Sequence, residues 1–303
     1  PGTGGDQGFA IQAAVNWGGN PTNTASVMAD SLLQANDVFY KISGVNAAGA
    51  TETTATHVVG SDYPNAAVPK GRQPDGTRII DTLDTRISAN VMEASGKLYS
   101  VRTIDLNNAA ALRWSVNDAS TGALISMGTI DDPNYDYFQG SIAVNSYGQV
   151  VIGYNRSGWQ TTDANSDGFA DGNVSFMARE YNSDGLGNLV ETAEDLLKVS
   201  LVSDYHNGSV FGQPAAGRQR WGDFSTVTLD PTNQQNFWAI GEFAREWNNP
   251  ASGHPGGTGG SRWGTWVSEI SLHPVPDTSS SLSLMAIGLL AIVALRRRIG
   301  TTG

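Results

Sequence analysis

A strand–turn–strand rhythm returns along this chain, and it limits the fold more than any other feature. "RISANVMEASGKLYSVRTIDL" (86–106), "GSIAVNSYGQVVIGYNRSG" (140–158) and "STVTLDPTNQQNFWAIGEFAR" (225–245) each alternate apolar and polar residues, turn at Gly, Asn or Pro, and alternate again. In the second, Ile142 and Val144 lead into Tyr147-Gly148, and Val150, Ile152 and Tyr154 follow it. A period of two sends alternate side chains to opposite faces of a strand, and a Gly-bearing turn closes the pair into a hairpin. "ALRWSVNDASTGALISMGTI" (111–130) reads as a further strand, an Asp-Ala-Ser-Thr-Gly turn and another strand.

The spacing of these hairpins narrows the architecture. Gly96 to Gly148 is 52 residues, and Gly148 to Asn233 is 85 with a polar insert between. A repeat of roughly 40 to 50 residues with four strands is the mark of a propeller blade. A β-sandwich also uses hairpins. The recurrence at blade spacing, with Trp near strand ends, favours an all-β propeller, incomplete in this chain at about four or five blades. Residues 8–18 read as a strand, 26–45 as strands or one short helix, and 60–79 as a long Pro/Gly-rich loop. The body spans 1–274 and a separate tail spans 275–303. The chain starts Pro1-Gly2-Thr3 with no Met and no leader, so it is expected to be a fragment whose true N-terminus and further blades lie upstream, or a processed form.

Composition sets limits on partners. Net charge is −11; without the tail's three Arg and one Asp, residues 1–274 hold 15 basic and 28 acidic groups, or −13. Nucleic acid and anionic lipid both call for a basic footprint, so neither is an expected partner of the body. There is no Cys, so the fold rests on its own core or on metal.

The tail is a processing signal by pattern. Leu282 to Leu295 runs fourteen residues with no charge and only Ser283 polar, and Arg296, Arg297 and Arg298 follow. Counted back to Ser279, the stretch reaches the lower limit of about 17 residues for a membrane-spanning helix. Arginines beside it mark the cytoplasmic side, which places the body across the membrane. Val275-Pro276-Asp277, the apolar stretch and the arginine cluster together resemble the PEP-CTERM sorting signal, with Asp in place of the usual acidic dipeptide. The resemblance implies export, transient anchoring in the inner membrane, and cleavage near Pro276 by an exosortase-type enzyme. "DYFQGSIAVNSYGQVVIGY", "RQRWGDFSTVTLDP", "NFWAIGEFA" and "WGTWVSEI" are similar to segments of exported bacterial proteins in which they build neighbouring blades. That likeness, over about residues 84 to 272, implies fold and supplies no function.

Three groups of residues are candidates for chemistry. In "DANSDGFADG", Asp163, Asn165, Asp167 and Asp171 fall at positions 1, 3, 5 and 9 of a calcium loop, with Gly168 at the sharp turn. Position 12 is Val174, so this is no EF-hand; Ca2+ there would brace the loop, and an ordinary acidic turn has the same composition. Arg218, Arg220, Trp221 and Arg245 could face a channel and bind a glycan or matrix polymer; the alternative is that Trp221 packs between blades while the charges pair. Asp223 and Glu242 are the carboxylates available to a glycoside hydrolase, which needs two. The sialidase-type blade turns are missing, "NSDGLGNL" (182–189) being a faint echo, and His57, His206, His254 and His273 are scattered. The residues therefore point to a binding or scaffolding protein of the cell surface or matrix, with a carbohydrate-active enzyme, sialidase-like or another glycoside hydrolase, as the alternative.

Overall fold

A computed structural model of the chain describes residues 8–17, 23–31, 37–45, 48–53, 55–58, 67–184, 186–202, 221–222, 225–247 and 261–272. The chain divides into two units, Pro1–Leu272 and His273–Gly303, and every described residue lies in the first. The described residues are all-β, with no helix among them.

Consecutive hairpins build a row of antiparallel sheets. The first sheet holds β1 (Phe9–Ala13), β2 (Thr24–Asp30), β3 (Asp37–Ser43) and β4 (Thr51–Glu52), with β5 (Thr56–Val58) also on β3. A two-stranded pair follows, β6 (Gly71–Arg72) with β7 (Arg78–Ile80). The second sheet is a four-stranded meander of β8 (Met92–Ala94), β9 (Lys97–Leu106), β10 (Ala109–Asp118) and β11 (Leu124–Ile130). The third repeats it with β12 (Tyr135–Val144), β13 (Gln149–Gly158), β14 (Ser175–Ser183) and β15 (Leu189–Val199). The fourth holds β16 (Thr226–Leu229), β17 (Asn236–Trp247) and β18 (Ser261–Ser271).

The hairpins of the sequence are where the alternation puts them. The β8–β9 turn has Ser95 and Gly96 at φ 49° and 72°, the mirror-image two-residue turn whose twist matches its strands. The β12–β13 turn closes at Gly148 (φ 78°). Residues 26–45 form strands β2 and β3, so the helix alternative for that stretch fails where it is described. Within 60–79, expected as loop, β6 and β7 pair across a Gln73-Pro74-Asp75-Gly76-Thr77 turn in which the Gln73 amide donates to the Thr77 carbonyl at 3.0 Å. Pro presets the turn and Gly76 (φ 83°) closes it. The polar insert also carries more strand than expected: only 159–174 is connection, and 175–199 supplies β14 and β15.

The third sheet is buried on both faces. On one side Trp114 of β10 meets Tyr181 of β14 with ring centroids 6.2 Å apart. On the other, the Val227 amide donates to Ser141 Oγ at 2.8 Å. Side chains at Gly153 and Gly241 would strike Val227 and the Phe176 ring, so these glycines set how closely the third and fourth sheets approach. Val101, Leu112, Ile142, Ile152, Phe176 and Phe237 belong to the continuous core that results. Each such side chain contributes about 1.5–3 kcal/mol by leaving water.

Two buried charge clusters tie sheets together. Arg102 of β9 donates to Asp30 of β2 at 2.6 Å and to Asp37 of β3 at 2.5 Å, joining the second sheet to the first. Burial is the main reason both carboxyls are held above the ordinary range, with Arg102 opposing it. Asp136 of β12, fully buried, accepts from the Arg72 amide (2.9 Å), Arg72 Nε (2.6 Å) and the Ala110 amide (2.9 Å).

Candidate functional site

In each meander the turns alternate between two ends. Turns β8–β9, β10–β11, β12–β13 and β14–β15 lie at one end of their sheets; connections β9–β10 and β13–β14 lie at the other, a strand length of roughly 33 Å away. The two sheets are in step, since the Ala110 amide just after the β9–β10 turn reaches Asp136 at the start of β12.

The turn end is built from short, locked turns. Asp118 accepts from the Ser120 and Thr121 amides at 2.9 and 2.8 Å, and its carboxyl is pulled down to about 2, first by the Ser120 hydroxyl. Asp184 takes the Leu186, Gly187 and Asn188 amides, and Asp230 the Thr232 and Asn233 amides with the Trp238 indole. Both carboxyls sit below the usual range, led by the Asn188 side chain and the Thr232 hydroxyl respectively. The described residues of "NSDGLGNL" therefore span the end of β14, the Asp184-capped turn and the start of β15. Asn145, buried, clamps the third sheet to the fourth: its Nδ2 donates to the Gln234 carbonyl and to Gln149 Oε1, both at 2.9 Å, while its Oδ1 accepts the Tyr147 and Gln149 amides. Gln234 Oε1 in turn accepts a hydrogen bond from the Ser146 amide at 3.1 Å.

A cavity of about 320 Å³ opens among these turns, lined by Asn16, Trp17, Glu93, Ser95, Ser146 and Gln234, with Asn145 in its wall. The segment that brings Trp17 there is held by backbone bonds. The Val15 amide donates to the Val91 carbonyl and the Glu93 amide to the Val15 carbonyl, both at 2.8 Å, so residues 15–17 run parallel to β8 toward the Ser95-Gly96 turn. Trp17 keeps 46% of its surface exposed. Chemically the cavity offers one large aromatic face, amides and hydroxyls able to donate and accept, and one carboxylate, Glu93. None of these residues was singled out from the sequence; Trp17 beside Gly18 and Gly19, an aromatic in a turn-rich stretch, is the signal that was there.

The residues that were singled out lie elsewhere. Trp221 is buried among Ile80, Phe138, Val174 and Ala244, so its ring fills core and presents no face to a ligand. Glu242 is half-buried on β17, where its carboxylate abuts Gly222, and Arg245 is exposed. Arg218, Arg220 and Asp223 lie outside the described residues, as do Val275, Pro276, Asp277, Arg296, Arg297 and Arg298. Among the described residues no helix is long and apolar enough to cross a membrane.

Asp163, Asn165, Asp167 and Asp171 share the β13–β14 connection at the opposite end. Asp163 accepts the Asp167 and Gly168 amides at 3.0 and 2.9 Å, and Asp171 accepts the Thr162 hydroxyl at 2.8 Å. Gly168 has φ 90°, the sharp turn that the pattern asks of it. Among the described residues no three His, Cys, Asp or Glu side chains converge as a metal-holding group. That end also carries a smaller cavity of about 190 Å³ beside Arg72, Asn107, Asn108, Asp131 and Asp132.

Known proteins resemble the chain at its tail and, distantly, in its backbone. The VPDSG-CTERM motif model matches residues 274–299. This supports a sorting signal of the PEP-CTERM type and, with it, export and surface association. No curated protein sequence matches the chain. Among solved structures, an alpha-L-arabinanase of Penicillium chrysogenum is similar at 10% identity and TM-score 0.38, over 88% of this chain and 63% of that one. Kuenenia stuttgartiensis hydrazine synthase gives 12% and 0.35, over 84% and 69%. An alpha-L-arabinofuranosidase from Fusarium graminearum gives 11% and 0.34, over 86% and 76%. At these scores and identities the likenesses carry no argument about fold or function.

Proposed function

We propose that the chain is an exported carbohydrate-binding protein, whose stacked sheets are blades of a β-propeller and whose ligand sits in the cavity at the turn end. The cavity itself carries the reading. A half-exposed indole stacks on the apolar face of a sugar ring, and amides, hydroxyls and a carboxylate around it match ring hydroxyls. The Asn145–Gln234 clamp holds the wall before ligand arrives, which lowers the ordering cost of binding. In this reading the tail anchors the protein transiently in the inner membrane until an exosortase-type enzyme cleaves it, and the body is released to the cell surface or matrix.

Glycoside hydrolysis is the alternative. It needs two carboxyl groups about the scissile bond, and Glu93 is the one carboxylate among the described residues that line the cavity. The enzyme reading therefore rests on Asp223 and Glu242, and Asp223→Asn or Glu242→Gln would have to abolish a measured turnover. Calcium at Asp163, Asn165, Asp167 and Asp171 would be a brace for the connection and no part of the binding.

Affinity electrophoresis in gels carrying neutral or amino polysaccharides tests the binding directly. Retardation of the wild-type protein, lost in Trp17→Ala, is expected. Equal mobility of both proteins on every polysaccharide would rule the reading out.

A further inference from the structure

We propose that the sugar unit held in this cavity is a hexosamine with its amino group free and protonated, selected by Glu93 and Trp17. This rests on the carbohydrate reading of the cavity and adds the charge of its ligand. Glu93 is the one ionisable residue in the lining; no Lys, Arg or His lines the cavity among the described residues. Its backbone amide is taken by the Val15 carbonyl, and its half-buried carboxylate has no hydrogen bond or ion pair among the described residues. The nearest basic residue in sequence, Lys97, lays its stem against Gly187 of the β14–β15 turn.

A neutral hydroxyl would satisfy the amides of Asn16 and Gln234 equally well. The carboxylate discriminates. Any donor to a carboxylate makes a charge-assisted hydrogen bond, and an ammonium adds to it the Coulomb attraction of an opposite charge, which a hydroxyl lacks. An ammonium beside Trp17 also gains from the ring's negative face. The chain's net charge of −11 draws cations toward it at long range. A uronic acid or sialic acid meets the reverse of each effect: Glu93 repels it, and no guanidinium in the lining receives its carboxylate.

Calorimetric titration of the full chain with glucosamine oligomers and with N-acetylglucosamine oligomers of equal length separates the two claims. The free-amine form is expected to bind at least about ten-fold tighter, equal to about 1.4 kcal/mol. That preference should shrink as salt rises. Glu93→Gln, isosteric and with an unchanged melting temperature, should bring the two oligomers within about two-fold. Trp17→Ala should weaken both, which separates cavity binding from a polycation's attraction to an acidic surface. Equal affinity in the wild-type protein, or a preference that survives Glu93→Gln, overturns the amine proposal. Binding of neutral saccharides alone also overturns it while leaving the carbohydrate reading in place. Binding of no saccharide removes both.

Discussion

The two ends of the sheets are built from opposite materials. At the turn end, three sheets contribute short turns whose carboxylates and amides are spent on their own backbones, and the chain closes around a cavity lined by Trp17 and Glu93. At the opposite end the 159–174 connection is long and mostly exposed, pinned by its own backbone bonds and by Gln160 donating to the Asn134 carbonyl, while a buried ion cluster, Asp136 with Arg72 and, at 3.7 Å, Arg78, ties β12 to β6 and β7. Rigid turns give a binding site fixed geometry, whereas the opposite end combines the tight Asn107-Asn108 turn with one long connection and has buried charge beneath it. Stability and binding should therefore separate by end.

The largest separation is expected from Asp136→Ala. It strands the Arg72 guanidinium, which is 9% exposed, and the Ala110 amide. Removing one partner of a buried pair costs about 3–5 kcal/mol, so denaturant melts should shift strongly while saccharide affinity of the folded fraction stays unchanged. A parallel loss of affinity would break the separation. Asn145→Ala comes next. It orphans the Gln234 carbonyl and the Tyr147 and Gln149 amides, at about 2 kcal/mol. Here affinity should fall as well, because the clamp forms the cavity wall; titration of the variant checks this.

Calcium sharpens the contrast at a smaller scale. At ten times its dissociation constant, an ion bound by the 163–171 loop adds about 1.4 kcal/mol, which moves the melting temperature by roughly 2–4 °C. Chelator should reverse that shift and leave saccharide binding untouched; identical melts with and without chelator would remove calcium from the account. The smallest effect belongs to the turns. With its carboxyl lowered to about 2, Asp118 stabilises its turn above the ordinary 3.8 and loses that contribution as pH falls through its folded value. The Ser120 and Thr121 amide resonances should titrate near that lower value, and Ser120→Ala should raise the midpoint.

How much of this was legible in the sequence follows from where each signal resides. The β8–β9, β10–β11, β12–β13 and β16–β17 hairpins were readable because alternation and turn residue lie within twenty or so neighbouring positions. β15 was hidden because Glu191, Glu194 and Asp195 load an edge strand with charge on both faces, which alternation rules do not capture. β6 and β7 were too short to register, although Pro74-Asp75-Gly76 announced their turn. The acidic pattern over 163–172 is local and so is readable from neighbouring residues alone. The cavity is not local: Trp17, Glu93, Ser146 and Gln234 are brought together only by sheet stacking. Trp221 shows the converse, a residue type suited to binding that packing uses in the core.

Hydrogen exchange with and without saturating glucosamine oligomer tests the central claim most directly. Protection gained by the backbone amides of 93–96, 145–148 and 234, with those of 107–111 and 131–134 unchanged, is the predicted result. Protection confined to 107–111 and 131–134, or absent from both ends while the oligomer is bound, would contradict a binding site at the turn end.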